Sequence, residues 1–291
     1  MYEGYVKGFF NGVLCKILYP GTGIMFAHYS DTSKYYRKLT LSILKEFGFG
    51  ISREMDVRIS QEIEGLVTEI RNQNSCPFDP KSALMYATSN VVMSILFGSE
   101  SQAGVKYNKL IEDLFEFVRN FDARLEYAPL IRFLPFFRKK ITDLSNAHKR
   151  LMDQIEAIIE QNKRNPSGRN FVTRFIEIEG SNYRQPELLC ILRDLGSGSA
   201  HTVEATIMWA LLELANNTKI RSRLQGEIDE VCSGNRPPTI DDKPRLPYTE
   251  AVICEVMRRH TITFNLFPRL AMKDTEICGY FIPRGCLVCM R

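Results

Sequence analysis

The sequence predicts a mainly α-helical protein with a small β element near its carboxyl terminus. Apolar residues recur every three to four positions through most of the chain, as they do along the buried face of a helix. From Thr275 onward the pattern changes to the short alternation of strands, around Gly279 and the turn Pro283–Gly285. With 291 residues, 44% of them apolar and 25% charged, the chain has the length and composition to bury a core.

In the first half of the chain, periodicity and chain breaks place three helices. Residues 1–26 are rich in glycine and aromatic residues and show no clear period. A break at Cys76–Pro80 separates the first two helices, and Gly98 ends the second. That second helix is apolar, but polar residues interrupt it, so it is interpreted as a buried helix. The three predicted helices cover 56–70, 84–97 and 107–120.

Four helices are predicted in the second half. An apolar loop, Tyr127–Phe137, precedes them, a turn follows at 165–168 and a loop at 235–238. No repeat and no long linker divides the chain, so we expect one domain over 1–291. The four predicted helices cover 140–163, 186–216, 217–231 and 247–260.

The composition excludes several classes of protein. A formal charge of +4 is small for this length and predicts no nucleic-acid partner. No start resembling a signal peptide and no run of about 18 apolar residues is present, so no membrane anchor is expected in the chain itself. The histidines lack metal-ligand spacing and no G-x-S-x-G motif occurs, which argues against a hydrolase. The eight cysteines lack a secretory context and are expected to be reduced.

Cys286 and Cys289 form the one C-x-x-C motif that we consider as a metal site. A closed zinc site needs a second pair of ligands, and no suitably spaced pair is present. The alternative is a strand that carries two small apolar residues.

Glu255 and Arg258 stand three residues apart on a predicted helix and can form a charge-assisted pair. Such pairs usually lie on a solvated surface. Here the apolar neighbours Val252, Ile253 and Val256 favour burial. A buried pair would fix the local geometry, and loss of Glu255 would then unfold the protein.

The segment Gly196–Ser199 lies inside the longest predicted helix, where each glycine costs about 1 kcal/mol. It is not a phosphate loop, because no Gly-Lys-Ser/Thr follows it. Either another group approaches this backbone closely, or the helix crosses a second helix with loose packing. Gly198, His201 and Thr202 would share one face of the helix there.

Several motifs, in the same order along the chain, resemble those of animal microsomal cytochromes P-450. They cover nearly the whole chain from about Gly23, from the C-helix region through the K helix to the β segment after it. The resemblance implies the P-450 fold, with part of that fold beyond this chain. The matching segments are Arg37–Lys38 with 47–50, 76–80 with 90–98, 194–212, 246–258 and 282–285.

The resemblance implies roles for particular residues. Arg37 and Arg269 occupy positions that hold the haem propionates, a contact that suits a guanidinium. Glu255 and Arg258 would be a structural ion pair in the core beneath the haem. No iron-ligating cysteine is expected in this chain, because the F-x-x-G-x-R-x-C loop is absent before the chain ends at Arg291.

On the oxygen side, the resemblance assigns Gly198 and Thr202 to the bend that binds dioxygen, with the threonine hydroxyl assisting protonation. This chain departs from the family there, since His201 replaces the acid before the threonine and Ser199 the second glycine. The imidazole of His201 would deliver protons to the bound dioxygen by a different route, or it would point away from the pocket and take no part in oxygen chemistry. A further departure is Ser33, which stands where the C helix normally has a tryptophan.

By resemblance, the complete protein would be a haem-thiolate monooxygenase that oxidises an apolar small molecule with electrons from an NADPH-dependent reductase. It would sit on the cytosolic face of the endoplasmic reticulum, with the Tyr127–Phe137 region against the membrane surface. We expect this chain alone to be inactive and to bind haem weakly, without thiolate ligation. The first hypothesis is a shortened product of an active enzyme. The second is a non-catalytic helical protein that binds a lipophile or a partner.

Overall fold

A computed structural model of the chain contains ten α-helices and four short strands among the residues that it describes. Those residues are 23–25, 27, 29–50, 53–98, 103–120, 122, 125, 129–164, 169–234, 236–262 and 269–288. The helices are α1 (Asp31–Glu46), α2 (Arg53–Asn72), α3 (Lys81–Phe97), α4 (Ala103–Arg119), α5 (Pro135–Arg164), α6 (Phe171–Glu179), α7 (Gln185–Ala200), α8 (Thr202–Asn216), α9 (Thr218–Cys232) and α10 (Pro247–Arg259). The predicted fold class, mainly helical with a small carboxyl-terminal β element, is confirmed.

The strands form two antiparallel pairs. Strand β1 (Arg269–Leu270) pairs with β4 (Leu287–Val288), and β2 (Thr275–Ile277) pairs with β3 (Tyr280–Ile282). The turn between β2 and β3 contains Gly279 in a left-handed conformation, which glycine adopts without steric cost.

The chain folds as two compact units, each made of separated stretches of sequence. The first unit comprises 1–44, 93–197 and 264–291, and the second comprises 45–92 and 198–263. The expectation of one domain over 1–291 stays a prediction.

Most of the predicted helices are confirmed, and two boundaries are corrected. The helix predicted over 186–216 is interrupted at His201, where α7 ends and α8 begins. Helix α5 begins at Pro135, because proline is well suited to a first helical turn, so the predicted loop over Tyr127–Phe137 extends too far. Within that loop, Pro129–Phe133 forms a 3-10 helix. The turn predicted at 165–168 lies outside the described residues.

Helix α6 was not predicted from periodicity, because its nine residues are too few to establish a period. A reciprocal capping box defines its start: the Asn170 side chain accepts from the Thr173 backbone N–H, and the Asn170 N–H donates to the Thr173 hydroxyl. At α1, the Ser30 and Ser33 hydroxyls likewise accept each other's backbone N–H. Ser33 therefore helps to define the start of α1.

The core of the first unit is formed by α4 packing on α5 and by the buried faces of α6 and α7. Its fully buried apolar side chains include Tyr107, Ile111, Leu144, Leu151, Ile155, Phe171, Phe175, Leu188, Ile191 and Leu192. Burial of large apolar side chains is the main stabilising contribution of such a unit.

A buried ion pair on α7 organises this core. Arg193 donates from Nε and Nη2 to Oδ1 of Asp194, at 3.1 and 2.7 Å. The backbone N–H groups of Ile24 and Met25 donate to Oδ2 at 2.7 and 2.9 Å. Residue 23 is glycine, with φ +91°, because a Cβ there would lie 2.5 Å from Oδ2.

The glycine at 196 is explained by a close approach of Tyr107 from α4. The Tyr107 hydroxyl donates to the Leu192 carbonyl at 2.9 Å. A Cβ on Gly196 would lie 2.5 and 2.6 Å from ring carbons of Tyr107, and closer still to the hydroxyl oxygen. The first of the two alternatives raised by the sequence is confirmed here, because a side chain approaches this backbone closely.

Gly196→Ala is therefore expected to lower the free energy of unfolding by about 1–3 kcal/mol, because the new methyl group overpacks against Tyr107. The matched control is Gly226→Ala in α9, where a Cβ meets nothing within 4 Å. Alanine is the better helix former, so the control should raise stability by about 0.5–1 kcal/mol. Urea denaturation of both variants measures the difference. Equal effects of the two substitutions would contradict the Tyr107 contact.

The second unit contains α8, α9 and α10 packed on one another. A buried carboxylate, Asp242, fixes the segment that leads into α10. Arg236 donates to both its oxygens at 2.6 and 2.7 Å, and Arg245 and the Thr239 backbone N–H also donate to it. The Arg236 bonds first, and then the Thr239 N–H, hold the pKa of Asp242 well below its usual range.

Because the folded pKa of Asp242 is depressed, its contribution to stability is present above about pH 4, the ordinary pKa of aspartate, and is lost as the pH falls. We expect Asp242→Asn to lower the melting temperature at pH 7. Between about pH 5 and pH 2, the melting temperature of the variant should fall less steeply than that of the parent. Its exposed neighbour, Asp241→Asn, serves as the control. If the melting temperatures of Asp242→Asn and of the parent change in parallel with pH, the ionised Asp242 carboxylate does not stabilise the fold.

Candidate functional site

The junction between α7 and α8 carries the three residues predicted to act in oxygen chemistry. The Thr202 hydroxyl donates to the Gly198 carbonyl at 3.1 Å, a back-bond of the kind that bends helices. Thr202 is exposed, and its hydroxyl oxygen can still accept a hydrogen bond. The structure thus brings Gly198, His201 and Thr202 together on consecutive turns, as predicted.

His201 forms the break itself, with φ −110° and ψ −20°. Its Nδ1 lies 4.0 Å from Oε2 of Glu204, a carboxylate that is only 5% exposed. An acid therefore stands two residues after Thr202 in this chain, whereas the family resemblance places one immediately before it. Sequence analysis did not single out Glu204, although its spacing of three from His201 on a helix would have suggested the contact.

The two arginines predicted to hold haem propionates belong to different elements of the first unit. Arg37 lies on the exposed side of α1. Arg269 begins β1, where its backbone pairs with Val288, and its side chain lies outside the described part of the structure. The propionate role of these residues stays a prediction.

Glu255 and Arg258 form the predicted pair, but its expected burial is wrong. Arg258 donates from Nε to one carboxylate oxygen at 2.7 Å and from Nη2 to the other at 2.6 Å. The Glu255 and Arg258 side chains are 54% and 71% exposed. The reason is the orientation of α10, which buries Val256 and leaves the apolar Ile253 and Met257 about half exposed. Apolar neighbours in sequence did not indicate which face of the helix is covered.

Since the pair is exposed, Glu255→Ala is expected to shift the melting temperature by no more than about 2 °C, in place of the unfolding that burial would predict. The hydrogen bonds from Arg258 lower the pKa of Glu255, but solvent screens this interaction. Thermal unfolding of purified parent and variant is the measurement. An insoluble variant would mean that the pair is buried after all.

Sequence analysis also missed a cluster where α8 meets the end of α10. His260 Nε2 lies 2.7 Å from Oε1 of Glu213, and the His260 ring stacks on Trp209 at 4.0 Å. The His260 hydrogen bond lowers the pKa of Glu213. The one tryptophan of the chain, Trp209, was the available signal for this cluster. The histidine that it contacts directly follows another helix, α10, so no local pattern connects the two residues.

Beside this cluster, α8, α9 and α10 enclose an apolar cavity of about 240 Å³. Its apolar walls are formed by Leu214, Ile220, Val252 and Val256. The cavity also reaches Glu255, so one member of the pair lies at its edge.

The residues of this chain do not fit a complete haem-thiolate site. None of the eight cysteines stands in an F-x-x-G-x-R-x-C sequence. Among the described residues, no group of three or more histidine, cysteine or acidic side chains is placed to hold a metal ion. Cys286 is exposed, β4 follows it directly, and Cys289 lies outside the described residues.

None of the described helices is both long enough and apolar enough to cross a bilayer.

Comparison with known proteins identifies the family. The family model described as Cytochrome P450 matches residues 3–291. The chain is 31% identical to Cytochrome P450 2C5 of Oryctolagus cuniculus over 91% of its length and 56% of that protein. It is 31% identical to Cytochrome P450 2H2 of Gallus gallus, over 96% of the chain and 58% of that protein. It is 27% identical to Cytochrome P450 2U1 of Rattus norvegicus, over 94% of the chain and 54% of that protein. The chain thus spans a little over half the length of these curated relatives, and it belongs to the cytochrome P450 family.

Proposed function

We propose that the protein to which this chain belongs is a haem-thiolate monooxygenase that oxidises an apolar small molecule with dioxygen and reductase-supplied electrons. Family membership implies an oxidoreductase with haem iron as cofactor. The observation that carries the proposal is the broken helix at His201, with Thr202 bonded back to Gly198, in the segment that matches the family's oxygen-binding bend.

Within that site, His201 and Glu204 are proposed to hold a proton close to the Thr202 hydroxyl. Their side chains approach within 4.0 Å, and the Glu204 carboxylate is only 5% exposed. A histidine can exchange a proton near neutral pH, as the acid that it replaces can when its pKa is raised. Arg37 and Arg269 are proposed as the propionate-binding residues, since a guanidinium binds carboxylates through two parallel hydrogen bonds.

The membrane surface is a proposed partner of the complete protein, which we place at the endoplasmic reticulum. Leu130, Phe133, Leu134 and Phe136 are all more than half exposed, Leu130 by 80%. Arg138, Lys139 and Lys140 follow after the buried Phe137, and the Lys140 ammonium lies 4.8 Å from the centre of the Phe136 ring. Apolar side chains bordered by basic residues are typical of surfaces that contact anionic lipid headgroups. An NADPH-dependent reductase and an apolar substrate are proposed partners from the family alone.

A second candidate function is binding of a lipophile or a partner without catalysis. The apolar cavity between α8, α9 and α10 favours it, because a cavity of this kind needs no haem to bind a small apolar molecule. The transcript downstream of Arg291 discriminates the two. An in-frame F-x-x-G-x-R-x-C supports the monooxygenase, and its absence from the transcript supports the binding protein.

For the 291-residue chain itself, we expect weak haem binding without thiolate ligation, because no cysteine in it has the required sequence context. The measurement is the reduced carbon-monoxide difference spectrum of the purified chain reconstituted with haem. A Soret band of the non-thiolate type is the expected result.

The control is the same protein extended by the downstream sequence, if that sequence encodes the cysteine loop. The extended protein should give the thiolate-type band. A thiolate-type band from the 291-residue chain would contradict the prediction, and the lack of one in the extended protein would contradict the proposed function.

A further inference from the structure

A polar cavity of about 450 Å³ lies in the first unit, between the beginning of α1 and the residues around the end of α6. None of the residues that line it belongs to the helix junction at His201, and the proposed oxygen chemistry makes no use of it. Its walls include Thr32, Tyr35, Tyr36, Glu179, Tyr183 and Arg184.

Glu179 is the unusual member of this cavity, because its charge is poorly compensated. The residue is only 5% exposed. Its carboxylate accepts hydrogen bonds from the hydroxyls of Tyr35, at 2.5 Å, and Tyr36, at 3.4 Å, both of which are neutral groups. Among the described residues, no ion pair to Glu179 is found, although Arg184 lines the same cavity. A buried carboxylate normally has a cationic partner, because desolvation without one is costly.

The position of Glu179 on its helix adds to this cost. Glu179 is the last residue of α6, where the helix macrodipole is negative and repels a carboxylate. A carboxylate has about four lone-pair positions for hydrogen bonds, and the two tyrosines use only two of them. The fold thus keeps an anion in an unfavourable place, facing a cavity, with capacity for further donors.

From this arrangement we propose that the cavity binds a small organic ammonium ion, with the ammonium group donating to Glu179. Tyrosine side chains line the site, and aromatic rings attract organic cations. The hydrogen bond to Glu179, then burial, raise the pKa of Tyr35, and burial, then the charge of Glu179, raise that of Tyr36. Both hydroxyls therefore remain protonated and continue to orient the carboxylate.

Other classes of ligand fit less well. Calcium takes about six to eight oxygen ligands, and this cavity offers one carboxylate. A simple anion would be repelled by Glu179. The guanidinium of Arg184 would repel a second positive group, so the ligand carries one ammonium group, and any anionic group that it also carries would face Arg184.

The test uses phenethylamine as the probe and its neutral isostere, 2-phenylethanol, as the control ligand, each titrated into the purified chain by isothermal calorimetry. Phenethylamine should bind, and the alcohol should bind about tenfold more weakly or not at all, since it lacks the charge. Glu179→Gln should weaken binding of the amine by about tenfold or more. Glu177→Gln, on an exposed side chain of the same helix that pairs with Arg174, is the matched control and should bind as the parent does.

A ligand-binding role and a structural role predict opposite effects on stability. Glu179→Gln removes a poorly compensated charge, so its melting temperature should equal or exceed that of the parent. If Glu179→Gln does not fold, Arg184→Gln keeps the test available, because Arg184 is exposed and removal of its like charge should tighten amine binding. The proposal is overturned if the parent does not bind the amine, if the alcohol binds equally, or if the folded Glu179→Gln or Arg184→Gln variant leaves the affinity unchanged.

Discussion

The first unit depends on one buried charge pair, Arg193 with Asp194 on α7. Two ionised side chains in an apolar core are tolerated only when their hydrogen-bonding groups are satisfied. Here the aspartate accepts from its neighbouring guanidinium and from the backbone of Ile24 and Met25, which ties a distant segment of the chain to α7. The pair also affects its surroundings. Burial first, and then the positive charge of Arg193, lower the pKa of His148 to about 4, so this histidine stays neutral and adds no second cation to the core.

Asp194 and Glu179 show how differently one unit treats two buried carboxylates. Asp194 receives four hydrogen bonds, two of them from a guanidinium, and its geometry leaves room only for glycine at position 23. Among the described residues, Glu179 receives hydrogen bonds only from two neutral phenols, and it lies at the unfavourable end of a helix, beside a cavity. Full compensation is typical of a carboxylate whose function is to fix the fold. A buried carboxylate with few donors beside a cavity is typical of a ligand-binding site, because a ligand can supply the hydrogen bonds and the positive charge that the protein does not.

The sequence predicted the helices well where periodicity is long and breaks are clear, as in α2 and α10, and it predicted the neighbourhood of Gly198, His201 and Thr202. It failed where the decisive contact comes from elsewhere in the chain. Gly196 is explained by Tyr107 on another helix, which no local pattern reveals. The burial expected for Glu255 and Arg258 was wrong for a related reason: apolar neighbours show that a helix has a buried side, but the packing partners determine which side that is. Glu179 carried no signal at all, since its tyrosine partners lie on α1, far away in sequence.

The second unit is stabilised in another way than the first. Apolar side chains of α2 and α10, such as Val57, Ile63, Ile253 and Met257, are between about a third and two thirds exposed, so they contribute little burial energy. Ionised carboxylates make the specific contacts instead: Asp242, on the segment before α10, binds two arginines, and Glu227 of α9 accepts the backbone N–H groups of Tyr248 and Thr249, at 2.8 and 2.7 Å, at the start of α10. A carboxylate at a helix amino terminus satisfies donors that the helix cannot pair itself, and it also interacts favourably with the macrodipole. The start of α10 is therefore fixed by Glu227, while the Glu255–Arg258 pair lies on the outer face of the same helix. It follows that in this unit the E-x-x-R pair orders one exposed turn, and the position of α10 depends on the carboxylates before it.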